Sequence, residues 1–130
     1  MNTHLLDTDW TIDYFFDKND AVARLAPLID AAQLATSIIV FGEVQEGLLG
    51  SPEHTTRTQN YAELLARVPV LGVDERTAMA YASLRRQLRQ AGQPMSDNDL
   101  WIAATALCHE LTLISRDKAF DRVPGLKLLK

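Results

Sequence analysis

At 130 residues and 47% hydrophobic, the chain has the size of one domain and enough apolar side chains to bury a core without disulfides or a structural metal. A formal net charge of -4 excludes a protein that coats nucleic acid through a broad basic surface, but not a nuclease whose bound cations supply the positive charge. One cysteine, no basic leader and no apolar run of about 18 residues point to a soluble cytoplasmic protein with no membrane partner.

No repeat, low-complexity tract or linker divides the sequence, so residues 1–130 are expected to form a single domain. A first strand over residues 3–6 ends at Asp7, and a short helix follows, carrying Trp10, Tyr14, Phe15 and Phe16. A second helix covers Ala21 to Asp30, with Pro27 disturbing its interior. Residues 34–37 form a strand that feeds a helix from Ile39 to Leu49, stopped by Gly50. A polar-faced helix near Pro52 to Arg67 and a strand near Val68 to Leu71 come next.

The long helix from Glu75 to Ala91 is ended by Gly92 and Pro94. Ser96 or Asp97 caps the helix of LWIAATALCHE, residues 111–115 form a buried strand, and a turn around Phe120 leads to a last extended piece, LKLL. Strands alternating with helices require crossover connections. The expected class is α/β, a three-layer sandwich around a mostly parallel sheet.

In such sheets ligands bind outside the carboxyl ends of the strands. Asp7 closes the first strand and Asp117 follows the late one, although an acid in such a place also initiates turns or caps helices. Glu43 falls between Ile39 and Gly47 around its helix, at the edge of the apolar side made by Val40, Val44 and Leu48. A glutamate so placed is partly desolvated and needs a partner, whereas Glu46 points toward solvent. Asp97 and Asp99 stand in the first turn of the late helix, where Ser96 and Asp99 also fit a capping box; Asp97 capping and Asp99 working is compatible with both.

Converging carboxylates repel one another and call for positive charge among them, and oxygen-only ligation selects hard cations, Mg²⁺ or Mn²⁺. His4, His54 and His109 have no metal-ligand spacing. A cation held by few protein ligands leaves water available as nucleophile, which suits phosphodiester hydrolysis.

LLDTD at 5–9, FGEV at 41–44, DNDLWIAATA at 97–106 and SRDKAFDRVPGLKL at 115–128, in this order along nearly the whole chain, resemble the PIN-domain ribonucleases, and among them the VapC toxins. The resemblance implies that Asp7, Glu43, Asp99 and Asp117 form the acidic metal site; within it Asp7, Asp99 and Asp117 are the expected ligands of one or two ions, and Glu43 completes the site directly or orients a metal-bound water. It also implies dependence on Mg²⁺ or Mn²⁺, cleavage of structured RNA such as tRNA or rRNA, a homodimer, and inhibition by a VapB-type antitoxin through which alone DNA is met. Family members often carry Asn at the position of Asp9, which is either an additional acid or a helix cap. Thr8 and Ser115 are candidates for bonding a carboxylate or a water, or are turn residues. The WTIDYFF segment lines an antitoxin groove or belongs to the core.

For RNA contact Arg116 and Lys118 stand beside the acids, whereas Arg85, Arg86 and Arg89 read as a solvated helix face. Two rivals compete. LLDTDWT also fits D-x-D-x-T of a haloacid dehalogenase-like phosphatase, with Asp7 as nucleophile and Asp9 as general acid and base, but the later lysine and acidic motif of that family have no convincing equivalent. A receiver domain, a non-enzymatic phosphate acceptor, places two adjacent acids after the first strand and a lysine after the last, and this chain has neither.

Overall fold

The computed structural model describes residues 1–130. Five strands, β1 (His4–Leu6), β2 (Leu34–Ser37), β3 (Val70–Leu71), β4 (Thr112–Ile114) and β5 (Leu128–Leu129), form one sheet in the order β3-β2-β1-β4-β5. All neighbours are parallel. Consecutive residues of a strand point to opposite faces. Leu5 with Leu6, and Leu34 with Ala35, are all buried, so both faces of the sheet are covered, as expected for a three-layer α/β sandwich.

The helices are α1 (Thr8–Phe16), α2 (Ala21–Asp30), α3 (Ile38–Leu49), α4 (His54–Leu65), α5 (Glu75–Gln90) and α6 (Asp97–Cys108), with a 3-10 turn over Lys118–Arg122. Three have side-chain caps of the kind that short polar residues provide. Ser37 accepts the N–H of Val40, Asp74 that of Thr77, and Ser96 that of Asp99. α2 runs through Pro27 without a break, because Ala21, Leu25 and Ile29 anchor one face in the core while Pro27 is exposed. The carbonyl that loses its helical partner to the proline ring therefore lies on the side of water.

Two glycines expected to stop helices differ. Gly92 follows α5 in the left-handed conformation, with φ +69°. Gly50 ends α3 with φ -91°, a conformation open to any residue, so its glycine is not what stops the helix; a turn at Pro52 and Glu53 follows before α4. α6 also starts earlier than expected, at Asp97, since Ser96 and not Asp97 caps it.

The register places the site. Leu6 pairs with Thr36 on one side and Ile114 on the other, so the carboxyl ends of β1, β2 and β4 are level. From β1 the chain builds β2 and β3 to one side and later adds β4 and β5 on the other. The switch point lies between β1 and β4, and their following residues, Asp7 and Ser115, flank it.

Candidate active site

Asp7 occupies the N-cap position of α1, yet its side chain makes no capping bond. Its Oδ2 instead accepts the hydroxyl of Ser115 at 2.7 Å, across the switch point. Only 6% of Asp7 is exposed. Burial pushes its carboxyl up to about 7, with the charges of Asp9 and Glu43 adding to the rise and the bonds from Ser115 and the Thr8 N–H opposing it. Ser115 is fully buried and also accepts the N–H of Asp117 at 3.1 Å, so one hydroxyl both holds the first acid and shapes the turn carrying the last.

Glu43 is half-buried on α3, at the edge of the apolar side as its helical position required. Thr8 donates its hydroxyl to Oε1 at 2.8 Å, and Asn98 its amide to Oε2 at 3.4 Å. The two bonds fix the carboxylate on the wall of an open cavity of about 660 Å³, which Ile38, Ile39 and Glu46 also line. Asp99, in the first turn of α6, is half-buried. Desolvation raises its pKa, the charges of Asp117 and Glu43 raise it further, and its bond with Ser96 lowers it. Asp117 is exposed; its Oδ1 caps the 3-10 turn by accepting the N–H of Ala119 at 2.9 Å.

The fold thus brings Asp7, Glu43, Asp99 and Asp117 from four separate segments into electrostatic reach of one another, Asp7 with Glu43, and Asp99 with both Glu43 and Asp117. No three His, Cys, Asp or Glu side chains are drawn together tightly enough to hold an ion as they stand. The donor chemistry nonetheless fits a hard divalent cation. All four groups are carboxylates, and burial and mutual repulsion hold the protons of Asp7 and Asp99 above their ordinary range, a strain that a cation relieves.

Three other candidates have different work. Asp9 is not the N-cap of α1, a position Asp7 holds; its Oδ1 accepts the first-turn N–H of Trp10 at 2.7 Å and its Oδ2 the N–H of Arg116 at 2.8 Å, tying α1 to the turn after β4. Asp97 pairs with Arg85 and accepts the hydroxyl of Tyr81 at 3.2 Å, both from α5. The guanidinium of Arg116, expected to face RNA, is paired with Asp13 and lies over the ring of Trp10. Asp13 and Asn98 escaped the sequence reading. The one available signal for Asp13 was its place a single helical turn after Asp9.

The WTIDYFF segment is only partly core. Trp10 is core, whereas Ile12 and Phe16 are exposed and border, with Val44, Leu48 and Arg57, an apolar groove of about 380 Å³.

The family model described as PIN domain matches residues 4–126. Ribonuclease VapC4 of Mycobacterium tuberculosis is 33% identical over 95 residues, 72% of this chain and 73% of the relative. Ribonuclease VapC1 of Haemophilus influenzae is 30% identical over 126 residues, 95% of this chain and 94% of the relative. Among solved structures, VapBC2 from Rickettsia felis bound to a DNA fragment from its promoter superposes with a TM-score of 0.89 at 26% identity, covering 98% of this chain and 97% of that one. VapBC-1 from nontypeable Haemophilus influenzae gives 0.83 at 27%, with the same coverage. No helix is long and apolar enough to cross a membrane.

Proposed function

Because this chain belongs to the PIN-domain family and is related to its VapC ribonucleases, we propose that it is a metal-dependent endoribonuclease, the toxin of a pair with a VapB-type antitoxin. The observation that carries the reading is Asp7: a carboxylate buried at the switch point, with acids for charged neighbours and a neutral hydroxyl as its side-chain partner. A group so placed keeps much of its proton at neutral pH, and a cation that joins it favours the ionised form.

Asp7, Asp99 and Asp117 would hold Mg²⁺ or Mn²⁺, which supplies positive charge to the scissile phosphate and makes water a better nucleophile. Glu43, whose two oxygens accept from Thr8 and Asn98, would orient the attacking water. In-line attack by water leaves a 5′-phosphate and a 3′-hydroxyl, with no role for the RNA 2′-hydroxyl. Structured RNA, tRNA or rRNA, is the substrate class we assign. The phosphatase alternative loses support, since the PIN-domain model spans residues 4–126 and the related chains are VapC ribonucleases.

The relatives solved as VapBC complexes support an antitoxin partner, and the groove beside Ile12 and Phe16 offers an apolar seat for it. DNA contact in this reading belongs to the antitoxin. We further assign residues 1–130 to one domain that works as a homodimer in the cytoplasm, where the unpaired Cys108 stays reduced.

Induction of the wild type and of Asp7→Asn and Asp99→Asn in a bacterial host, with sequencing of 5′-phosphate RNA ends, tests the proposal. Growth arrest and new ends are expected in the wild type and absent from both folded variants. No arrest, together with no RNA cleavage by the purified protein in Mn²⁺, would overturn it.

A further inference from the structure

Asp13 takes no part in the acidic cavity, yet only 7% of it is exposed. A carboxylate so buried needs a cation and hydrogen bonds around it, and an apolar side chain would serve stability as well. Its Oδ2 pairs with the guanidinium of Arg116 and accepts the Asn19 amide at 3.0 Å. Arg116 in turn donates its main-chain N–H to Asp9, one turn earlier on α1, and lays its guanidinium over Trp10 with 5.7 Å to the ring centroid. One residue therefore grips two acids of the same helix face, by main chain on Asp9 and by side chain on Asp13.

What this grip holds is the turn after β4. Ser115 is fastened to Asp7, Arg116 to Asp9 and Asp13, and the N–H of Asp117 to Ser115. Asp117 itself is exposed and has only the 3-10 turn to fix its carboxylate. Its position relative to Asp7 and Asp99 then depends on α1 through its two predecessors.

We propose that Asp13, acting through Arg116, is a positioning residue that holds Asp117 in place for cation binding at the four-acid site. The proposal rests on the metal-dependent function argued above. Removing a partner in such an outer layer lowers metal affinity about tenfold or more.

Charge alone makes the opposite forecast for Arg116. Taking a cation away from a cation site should tighten Mn²⁺ binding, whereas loss of the grip should loosen it. Mn²⁺ binding to the full chain, followed by the paramagnetic signal of free Mn²⁺, is to be compared in the wild type, Asp13→Asn, Arg116→Gln and the double variant. The expected result is that each single change weakens binding about tenfold, and that the double variant is no weaker than the poorer single one, as for residues acting in one chain. Tighter or unchanged binding by Arg116→Gln, or additive losses, overturns the proposal.

Should Asp13→Asn fail to fold, Arg116→Lys keeps the net charge but not the forked geometry, and is expected to weaken Mn²⁺ binding; unchanged affinity sinks the idea. If the wild type binds no Mn²⁺, the metal-dependent reading itself fails. Hydrogen exchange then still judges the grip: faster exchange of the Asp117 N–H in Asp13→Asn supports it, and unchanged exchange removes it.

Discussion

Folding carries the Asp7 carboxyl from water into a pocket where its pKa rises from 3.8 to about 7, chiefly through burial. The folded state therefore holds this proton more tightly than the unfolded chain does. The sign follows: below about pH 4 Asp7 is protonated in both states and folding is not penalised, and as pH rises toward 7 the unfolded chain ionises first and stability falls. Above about 7 the loss is complete, and the full span corresponds to at most about 4 kcal/mol. Asp7→Asn keeps an oxygen to accept from Ser115 and cannot ionise. In chelator, denaturant unfolding should show the variant more stable than the wild type at pH 8 and little different at pH 4; equal stabilities at pH 8 would mean that the carboxylate is not desolvated. The place of Asp7 at the end of an apolar strand was legible, but an acid there also initiates turns or caps helices, and neither its burial nor its bond to Ser115 shows in the sequence. The roles of Asp9, Asp13 and Arg116 were not legible, because each depends on a partner about a hundred residues away or, for Asp13, on a burial that a polar side chain does not announce.

Element identity followed closely from periodicity and punctuation, and the departures have local causes. α2 tolerates Pro27 because its exposed face meets water, which the sequence pattern alone does not weigh against the ring's missing donor. The two helix-ending glycines looked alike in sequence and differ in backbone angle. At Gly92, φ +69° is a conformation that L side chains resist, although the space around it is open. At Gly50, φ is -91°, and an added Cβ would come no closer than 3.8 Å to the Gly47 carbonyl oxygen, an ordinary contact. Gly92→Ala should therefore cost about 1 kcal/mol, while Gly50→Ala should be neutral or slightly stabilising through the reduced freedom of the unfolded chain. Urea unfolding of the two variants separates these outcomes, and equal losses would show that glycine's freedom is used at both ends.

Across the whole molecule, alternation of strands and helices foretold a parallel sheet but not its order, which depends on where each crossover lands. That order decides the chemistry: β1 sits between β2 and β4, so acids from the start, middle and end of the chain meet at one edge. The arrangement gathers negative charge in a protein already at -4, and its stability should be linked to cations. A ligand that binds only the folded state adds about 2.7 kcal/mol when its free concentration is a hundredfold above its dissociation constant, or about 10 °C in Tm for a chain of this size. Protons compete for Asp7 below about pH 7, so Mn²⁺ should raise the wild-type Tm more at pH 8 than at pH 5. In Asp7→Asn, where one ligand carboxylate is gone and its repulsion with Asp9 and Glu43 is relieved, the Mn²⁺-induced rise should be small at both pH values. Thermal melts with Mn²⁺ or chelator decide the matter: a rise that ignores both pH and Asp7 would place the cation elsewhere on this acidic surface and detach the buried carboxylate from metal binding.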